Sequence, residues 1–332
     1  MGEKATRIFK RGLSKSNVIE KTRDLFSGPL GKNILKGSPK QPSPFQVCIR
    51  DNYLNVYWNG CSVLKFSPNA TKNVYMIHDK YVREKRGKSK YLSLEDSGGS
   101  PLEDLTAREH KDWSFLKEIV EPALNGKIPP SLEEYATKKT NGGLTEKGLL
   151  KVYLETKRPF LLDLEVAFTR IGRAEDGEPR PVADRIDVAE IVYDEKDNPI
   201  LRLVEVKTSD DSRLRAQELE NLRNDSKKIM HQMGLYQDFL NNEEGAIRDS
   251  YRTVASNMHD LGFGDYMNGL GERTATEVLR DFSKRGEVDP RPHLLVLYAQ
   301  KDKCFENKHL ERVQQLIMEK YPPLRYICVG NE

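Results

Sequence analysis

The chain has no apolar run long enough to cross a bilayer, and its cysteines and histidines form no familiar metal-binding pattern. The four cysteines include no CxxC pair, and the six histidines show no HExxH spacing. These absences argue against membrane-spanning helices and against zinc or iron–sulfur sites. The first residues also lack the apolar core of a secretory signal. We therefore expect a cytoplasmic protein with reduced thiols, no membrane partner and chemistry based on carboxylates.

A GxxxxGK[ST] phosphate-binding loop is also absent from the sequence. The chain thus carries no recognisable ATPase motor. Any motor activity associated with it would have to come from a helicase or another protein partner.

Charge is nearly balanced over the 332 residues, with 54 Lys and Arg against 51 Asp and Glu. The basic residues are enriched in the first 42 residues, which also contain many Gly, Ser and Pro. This composition predicts a flexible arm over residues 1–44. Two interpretations of the arm are open: it contacts nucleic-acid phosphates, or it is a solubilising tail without a specific partner.

Residues 45–125 are predicted to form a separate β-rich module. Aromatic and β-branched segments over 45–82 indicate a small antiparallel sheet, with a hairpin turn at Asn59-Gly60. A helix is predicted to follow over about 104–124. The pattern is compatible with nucleic-acid binding, with partner binding or with simple packing against the rest of the chain.

Residues 126–332 show the alternation of helices and strands that is typical of an α/β domain. The expected fold is a central mixed β-sheet flanked by helices. A polar stretch with shorter helical pieces is expected over 245–290. The other predicted elements are helices at 145–157, 213–241 and 307–321, and strands at 160–171, around Asp187, around Glu205, at 293–299 and at 324–329.

Three charged residues lie in the two central strands. Asp187 lies in the segment ADRIDVAEIVY, and Glu205 and Lys207 lie in ILRLVEVKT after a short turn. Alternate side chains of a strand share a face, so Glu205 and Lys207 point the same way, and a hairpin brings Asp187 close to them. Two carboxylates and an ammonium group suit a divalent cation with a lysine beside the attacking water.

This arrangement resembles the PD-(D/E)xK nuclease superfamily. Gln232 and Tyr236, one helical turn apart, are similar to the QxxxY helix of its RecB-like branch. The resemblance covers residues 145–240. It implies a restriction-endonuclease-like core, Mg²⁺-dependent hydrolysis of nucleic acid, and Asp187 and Glu205 as metal ligands.

The Glu-x-Lys triplet by itself is weak evidence, because five other carboxylate-x-Lys triplets occur in predicted helices, turns or loops. Only Glu205-Val206-Lys207 lies inside an apolar strand, where charged side chains are rare without partners. The alternative is a surface strand edge on which Glu205 and Lys207 form an ordinary ion pair.

The predicted roles follow from the residue types. Asp187, Glu205 and the backbone carbonyl of Val206 would bind Mg²⁺, for which Mn²⁺ is expected to substitute. Lys207 would orient the water or stabilise charge in the transition state. Gln232 would contact a phosphate, a base or a metal-bound water. Tyr236 would support it or contact the backbone, although core packing explains this tyrosine equally well.

Other site residues are predicted with less support. Family members often add a glutamate from the preceding helix, for which Glu155 is the first choice and Glu146 the second, while Glu165 lies on a strand that also has access to the site. Further candidates after the triplet are phosphate contacts from Thr208, Arg213 and Arg215. Salt bridges to Asp210, Asp211 or Glu218 are the alternative for the two arginines.

The sequence therefore predicts a metal-dependent exo- or endonuclease acting on DNA in repair, recombination or defence against foreign DNA. An inactive nuclease fold that binds nucleic acid or a protein partner is the alternative. A phosphohydrolase acting on small substrates is a third interpretation.

Overall fold

A computed structural model describes the ranges 9–27, 31, 35, 45–58, 61–68, 73–78, 91–96, 153–154, 157, 159–173, 179–215, 218–298 and 309–328. The chain divides into two compact units. The mixed-sheet unit comprises Met1–Lys10, Thr140–Ser250 and Arg285–Glu332, and the meander unit comprises Arg11–Lys139 and Tyr251–Lys284. The predicted boundary at residue 126 thus misses that 251–284 belongs with the N-terminal part.

The described elements are as follows. The helices are α1 (Ser16–Ser27), α2 (Leu219–Asn224), α3 (Ile229–Asp260), α4 (Ala275–Arg285) and α5 (His309–Lys320). The strands are β1 (Phe45–Ile49), β2 (Leu54–Trp58), β3 (Cys61–Pro68), β4 (Asn73–His78), β5 (Tyr91–Asp96), β6 (Phe160–Arg173), β7 (Pro179–Tyr193), β8 (Pro199–Thr208), β9 (Glu287–Val288), β10 (His293–Tyr298) and β11 (Arg325–Cys328). None of these helices is long and apolar enough to cross a membrane.

The mixed-sheet unit contains the predicted central sheet flanked by helices. Its described strands follow the order β11-β10-β8-β7-β6, with β9 beside β8. Strands β6, β7 and β8 are antiparallel, whereas β10 is parallel to both β8 and β11. Strand β8 is central and apolar on both faces, with Leu201, Leu203, Val204 and Val206 at most 1% exposed.

The helical prediction over 213–241 is wrong in its boundaries. A 3-10 turn at Ser212–Leu214 and the short α2 come first, and the long helix α3 begins at Ile229. Helix α3 then continues to Asp260, through part of the 245–290 stretch in which only short helical pieces were expected. Its apolar stripe explains this continuation, because Ile247, Tyr251 and Val254 are fully buried.

The meander unit contains five consecutive antiparallel strands, β1 to β5. Trp58 and Cys61 pair directly, as a two-residue hairpin requires. The turn residues Asn59 and Gly60 and the helix predicted over 104–124 lie outside the described residues.

The described part of the predicted flexible arm is folded. Helix α1 buries Val18, Thr22 and Phe26 along one face, and the ring of Phe26 lies 4.7 Å from that of Phe263. Leu13 is also buried, and its backbone N–H donates to Asn257 Oδ1 at 2.7 Å. The i, i+4, i+8 spacing of the buried residues marks this helix in the sequence, but the basic composition obscured it.

Candidate functional site

The register of two strands brings the two predicted acids together. Val188 of β7 pairs with Val204 of β8 in an antiparallel ladder. The next residue on each strand in the direction of the site is therefore Asp187 on β7 and Glu205 on β8. Opposite residues of an antiparallel pair share a face, and Lys207 lies on that face two residues further along β8.

Asp187 is held by the backbone of the neighbouring strand. Its Oδ2 accepts a hydrogen bond from the Val206 N–H at 2.8 Å and lies 3.9 Å from Lys207 Nζ. The side chain keeps 24% of its surface exposed. Asp187 is thus fixed in position but open to solvent and to a bound ligand.

Glu205 is almost fully buried and has three polar partners. Its Oε1 contacts Lys207 Nζ and accepts from Gln232 Nε2 at 2.7 Å, and its Oε2 lies 3.0 Å from the Tyr236 hydroxyl. Burial, followed by the charge of Asp187, raises the pKa of Glu205 to about 8, although Lys207 and Tyr236 act in the opposite direction. Without a bound cation, burial and Asp187 therefore favour the protonated form of Glu205.

Lys207 is 1% exposed, which is rare for a lysine. Besides Glu205 Oε1, its ammonium group donates to the Val206 carbonyl oxygen at 3.0 Å. Lys207 Nζ also lies 3.9 Å from Asp187 Oδ2, in a longer ion pair. The interpretation as a surface strand edge is thereby wrong, because both members of the Glu205–Lys207 pair are buried.

Helix α3 places Gln232 and Tyr236 over the two strands. Gln232 Nε2 donates to Glu205 and to the Tyr236 hydroxyl oxygen. The Tyr236 hydroxyl lies 2.6 Å from the backbone carbonyl of Arg185. Burial and the charge of Glu205 raise the pKa of Tyr236, which stays neutral. Its ring packs edge-on against Phe168, so this tyrosine combines polar contacts with the core position that was the alternative.

The position of one proton determines the donor and acceptor in each of these hydrogen bonds. The neutral Tyr236 hydroxyl has a single hydrogen but two nearby acceptors, the Arg185 carbonyl and Glu205 Oε2. A protonated Glu205 resolves the conflict, because its Oε2–H can donate to the tyrosine oxygen while the tyrosine donates to Arg185. This pattern agrees with the raised pKa of Glu205.

The predicted third acid is not brought to the site by the described residues. Glu155 and Glu146 lie outside them. Glu165 has a left-handed φ of 50° in β6, and its carboxylate lies 3.9 Å from the Arg185 guanidinium. Within the described ranges, no group of three or more His, Cys, Asp or Glu side chains is arranged to hold a metal ion.

The predicted phosphate contacts have different environments. Arg213 forms a two-pronged ion pair with Asp211, as the salt-bridge alternative predicted. Burial alone would raise the pKa of Asp211, but the hydrogen bonds and charge of Arg213 lower it overall. Thr208 is buried at the end of β8, and Arg215 is exposed. Arg215 is therefore the predicted contact that is most accessible to a ligand.

A second buried polar group was not predicted. Glu190 of β7 is 2% exposed, forms an ion pair with Arg325 at 2.9 Å and accepts a hydrogen bond from the Tyr153 hydroxyl at 3.2 Å. The register pairs Glu190 with Arg202, so both point away from the Asp187 face. The sequence signal for this buried group is an acidic residue within the apolar run AEIVY.

Comparisons with known proteins give no match. Neither family models, nor curated proteins, nor solved structures match this chain.

The donor atoms fit a divalent cation that prefers oxygen. Asp187, Glu205 and the Val206 carbonyl offer only oxygens, the ligand type of Mg²⁺. Gln232 Oε1 is buried and has no hydrogen-bond partner, so the site also contains an unused oxygen acceptor. A metal-bound water is a donor that would satisfy this atom.

Proposed function

We propose that the protein is a Mg²⁺-dependent nuclease that hydrolyses phosphodiester bonds of DNA. The observation that carries the proposal is the convergence of Asp187, Glu205 and Lys207 on one face of two paired strands, beneath Gln232 and Tyr236. Such a cluster costs stability, because burying charged groups is unfavourable even when they are paired. Chemistry is the simplest reason to maintain it.

The proposed mechanism uses this chain's own residues to bind and orient. Mg²⁺ held by Asp187, Glu205 and the Val206 carbonyl would supply charge neutralisation at the phosphate and activation of water. Lys207 supports negative charge on the phosphate by its fixed positive charge. Gln232 and Tyr236 hold the Glu205 carboxylate in one orientation through its two oxygens.

The wider setting is part of the same proposal. The mixed sheet with its helices supports a restriction-endonuclease-like core, and DNA is the proposed substrate in a cytoplasmic setting. Arg215, exposed just beyond the site, is the proposed phosphate contact among the residues of that loop. A helicase or another partner would supply any motor function.

A direct cleavage experiment tests the proposal. The protein would be incubated with linear, circular and single-stranded DNA, with Mg²⁺, with Mn²⁺ and with EDTA. We expect cleavage that requires the cation and falls at least ~100-fold in Asp187→Ala and Lys207→Ala, as loss of a main electrostatic group predicts. Lys227→Ala, at an exposed position on the same chain, is the control. No cleavage of any nucleic acid by the wild type would refute the proposal.

The second candidate is a nuclease fold that binds DNA without cutting it. The specific observation in its favour is that, among the described residues, no group of three or more His, Cys, Asp or Glu side chains is arranged to hold a metal ion. Fluorescence anisotropy with labelled duplex DNA in Ca²⁺ would detect binding. Binding without cleavage in Mg²⁺ or Mn²⁺ would favour this candidate over hydrolysis.

A further inference from the structure

The ammonium group of Lys207 lies among the oxygens that are proposed to bind the metal. It contacts Glu205 Oε1, donates to the Val206 carbonyl at 3.0 Å, and lies 3.9 Å from Asp187 Oδ2. These belong to the two side chains and the one carbonyl assigned to Mg²⁺. The positive charge of lysine thus lies where the positive charge of a cation would be needed.

Geometry makes these two occupancies incompatible. A divalent cation such as Mg²⁺ binds oxygens at about 2 Å and uses the lone pairs that point towards it. Lys207 Nζ donates its hydrogens to these same oxygens of Glu205 and Val206. Two positive groups a few ångströms apart in a buried site also repel strongly.

We propose that Lys207 is a built-in counter-cation that competes with the divalent cation and must leave its oxygen partners before the metal binds. The inference rests on the proposed function, because it concerns the same site, and it adds a regulatory property. In the metal-free protein Lys207 occupies these oxygens and balances the negative charge of Asp187. Once displaced, Lys207 is free to approach the substrate phosphate. Metal binding and the positioning of the lysine are thereby coupled.

Calcium binding by isothermal titration calorimetry tests this competition without relying on catalysis. The wild type, Lys207→Met and the exposed control Lys227→Met would each be titrated with Ca²⁺. Because Met keeps the length of the side chain but removes the charge, we expect Lys207→Met to bind Ca²⁺ at least ~10-fold more tightly than the wild type. Lys227→Met should match the wild type. Equal or weaker binding by Lys207→Met would overturn the proposal.

Amine labelling of the wild type provides a measurement that does not depend on whether the variant folds. Lys207 is 1% exposed and should react slowly with an acylating reagent in EDTA. With saturating Ca²⁺ we expect its labelling, followed by mass spectrometry, to rise several-fold, while that of Lys227 stays constant. Unchanged protection of Lys207 in Ca²⁺ would contradict the displacement.

The two proposals fail in different ways. Calcium binding that is lost in Asp187→Asn and strengthened in Lys207→Met, without cleavage of any DNA, would refute the nuclease and keep the competition. Metal-dependent cleavage combined with unchanged Ca²⁺ affinity in Lys207→Met would refute the competition alone.

Discussion

At the scale of single residues, the central feature is a glutamate that is buried beside another acid. Glu205 is 2% exposed, and its pKa is raised to about 8 by burial and by Asp187. A raised acid pKa means that the folded state binds a proton more tightly than the unfolded state does. The contribution of this group to stability is therefore fully present below pH about 4.5 and is lost as the pH rises through about 8.

Replacing Glu205 with Gln removes this pH dependence. In EDTA, we expect Glu205→Gln to match the wild type at pH 5 and to exceed its free energy of unfolding at pH 8 by up to a few kcal/mol. Urea denaturation at the two pH values measures the difference. Glu195→Gln, at an exposed turn position, is the control and should show no such divergence. If the difference in unfolding free energy between Glu205→Gln and the wild type does not grow with pH, the raised pKa of Glu205 is contradicted.

The hydroxyl of Tyr236 is expected to act through Glu205. Tyr236→Phe keeps the ring against Phe168 but removes the contacts to Glu205 Oε2 and to the Arg185 carbonyl. Loss of a buried hydrogen bond predicts a cost of about 1 kcal/mol in unfolding free energy. The orienting role predicts a fall of at least ~10-fold in the single-turnover cleavage rate.

The matched control for Tyr236 is Tyr326, whose hydroxyl donates to the Leu310 carbonyl at 3.1 Å. Tyr326→Phe should cost a similar unfolding free energy and leave the cleavage rate unchanged. If both variants lose activity equally, the effect of Tyr236 is structural and not specific to the site.

At the scale of elements, helix α3 continues through the sequence NNEEG, which reads as a break. Gly245 lies within this helix, and a Cβ added there would meet only the Arg248 guanidinium, at 4.0 Å. Gly262, two residues after the helix ends, has a left-handed φ of 74°. Substitution by alanine should therefore change the free energy of unfolding in opposite directions at Gly245 and Gly262.

Gly245→Ala should raise the unfolding free energy by about 0.5–1 kcal/mol, because alanine has less conformational freedom to lose in a helix. Gly262→Ala should lower it by about 1 kcal/mol, since the left-handed conformation is strained for alanine. Thermal unfolding of the two variants measures both signs. Destabilisation by Gly245→Ala would mean that α3 is interrupted at that point.

Elements were predictable where periodicity and composition agreed. Strands β6, β8 and β10 match their predicted spans closely, because β-branched and apolar residues predominate in them. The pairing of Asp187 with Glu205 followed from alternation along two strands joined by a short turn. At Gly245 and in the basic N-terminal segment the local composition suggested a helix break and a flexible tail. The periodic spacing of buried residues nevertheless continues there, and both segments are helical. The Glu190–Arg325 pair depends on β10 and β11, and contacts between distant strands leave no local signal.

At the scale of the whole molecule, the N-terminal segment is part of a folded unit. Phe26 of α1 is 7% exposed and packs edge-on against Phe263, which lies more than 200 residues away in the sequence. The unit therefore depends on contacts between its N-terminal helix and the segment after α3. A detachable arm would leave the stability of the protein unchanged when its apolar residues are removed.

Truncating Phe26 tests this dependence. Phe26→Ala should lower the unfolding free energy by about 3 kcal/mol, the usual cost of removing a buried aromatic ring, whereas Arg23→Ala on the exposed face of α1 should cost little.

Limited proteolysis with trypsin provides a second measurement, because Arg23 lies within a helix that packs through Val18, Thr22 and Phe26. We expect slow cleavage after Arg23 in the wild type and cleavage at least ~10-fold faster in Phe26→Ala, since a larger population of the opened state exposes the peptide bond. Equal and rapid cleavage in both proteins would mean that the segment behaves as the tail that its basic composition suggests.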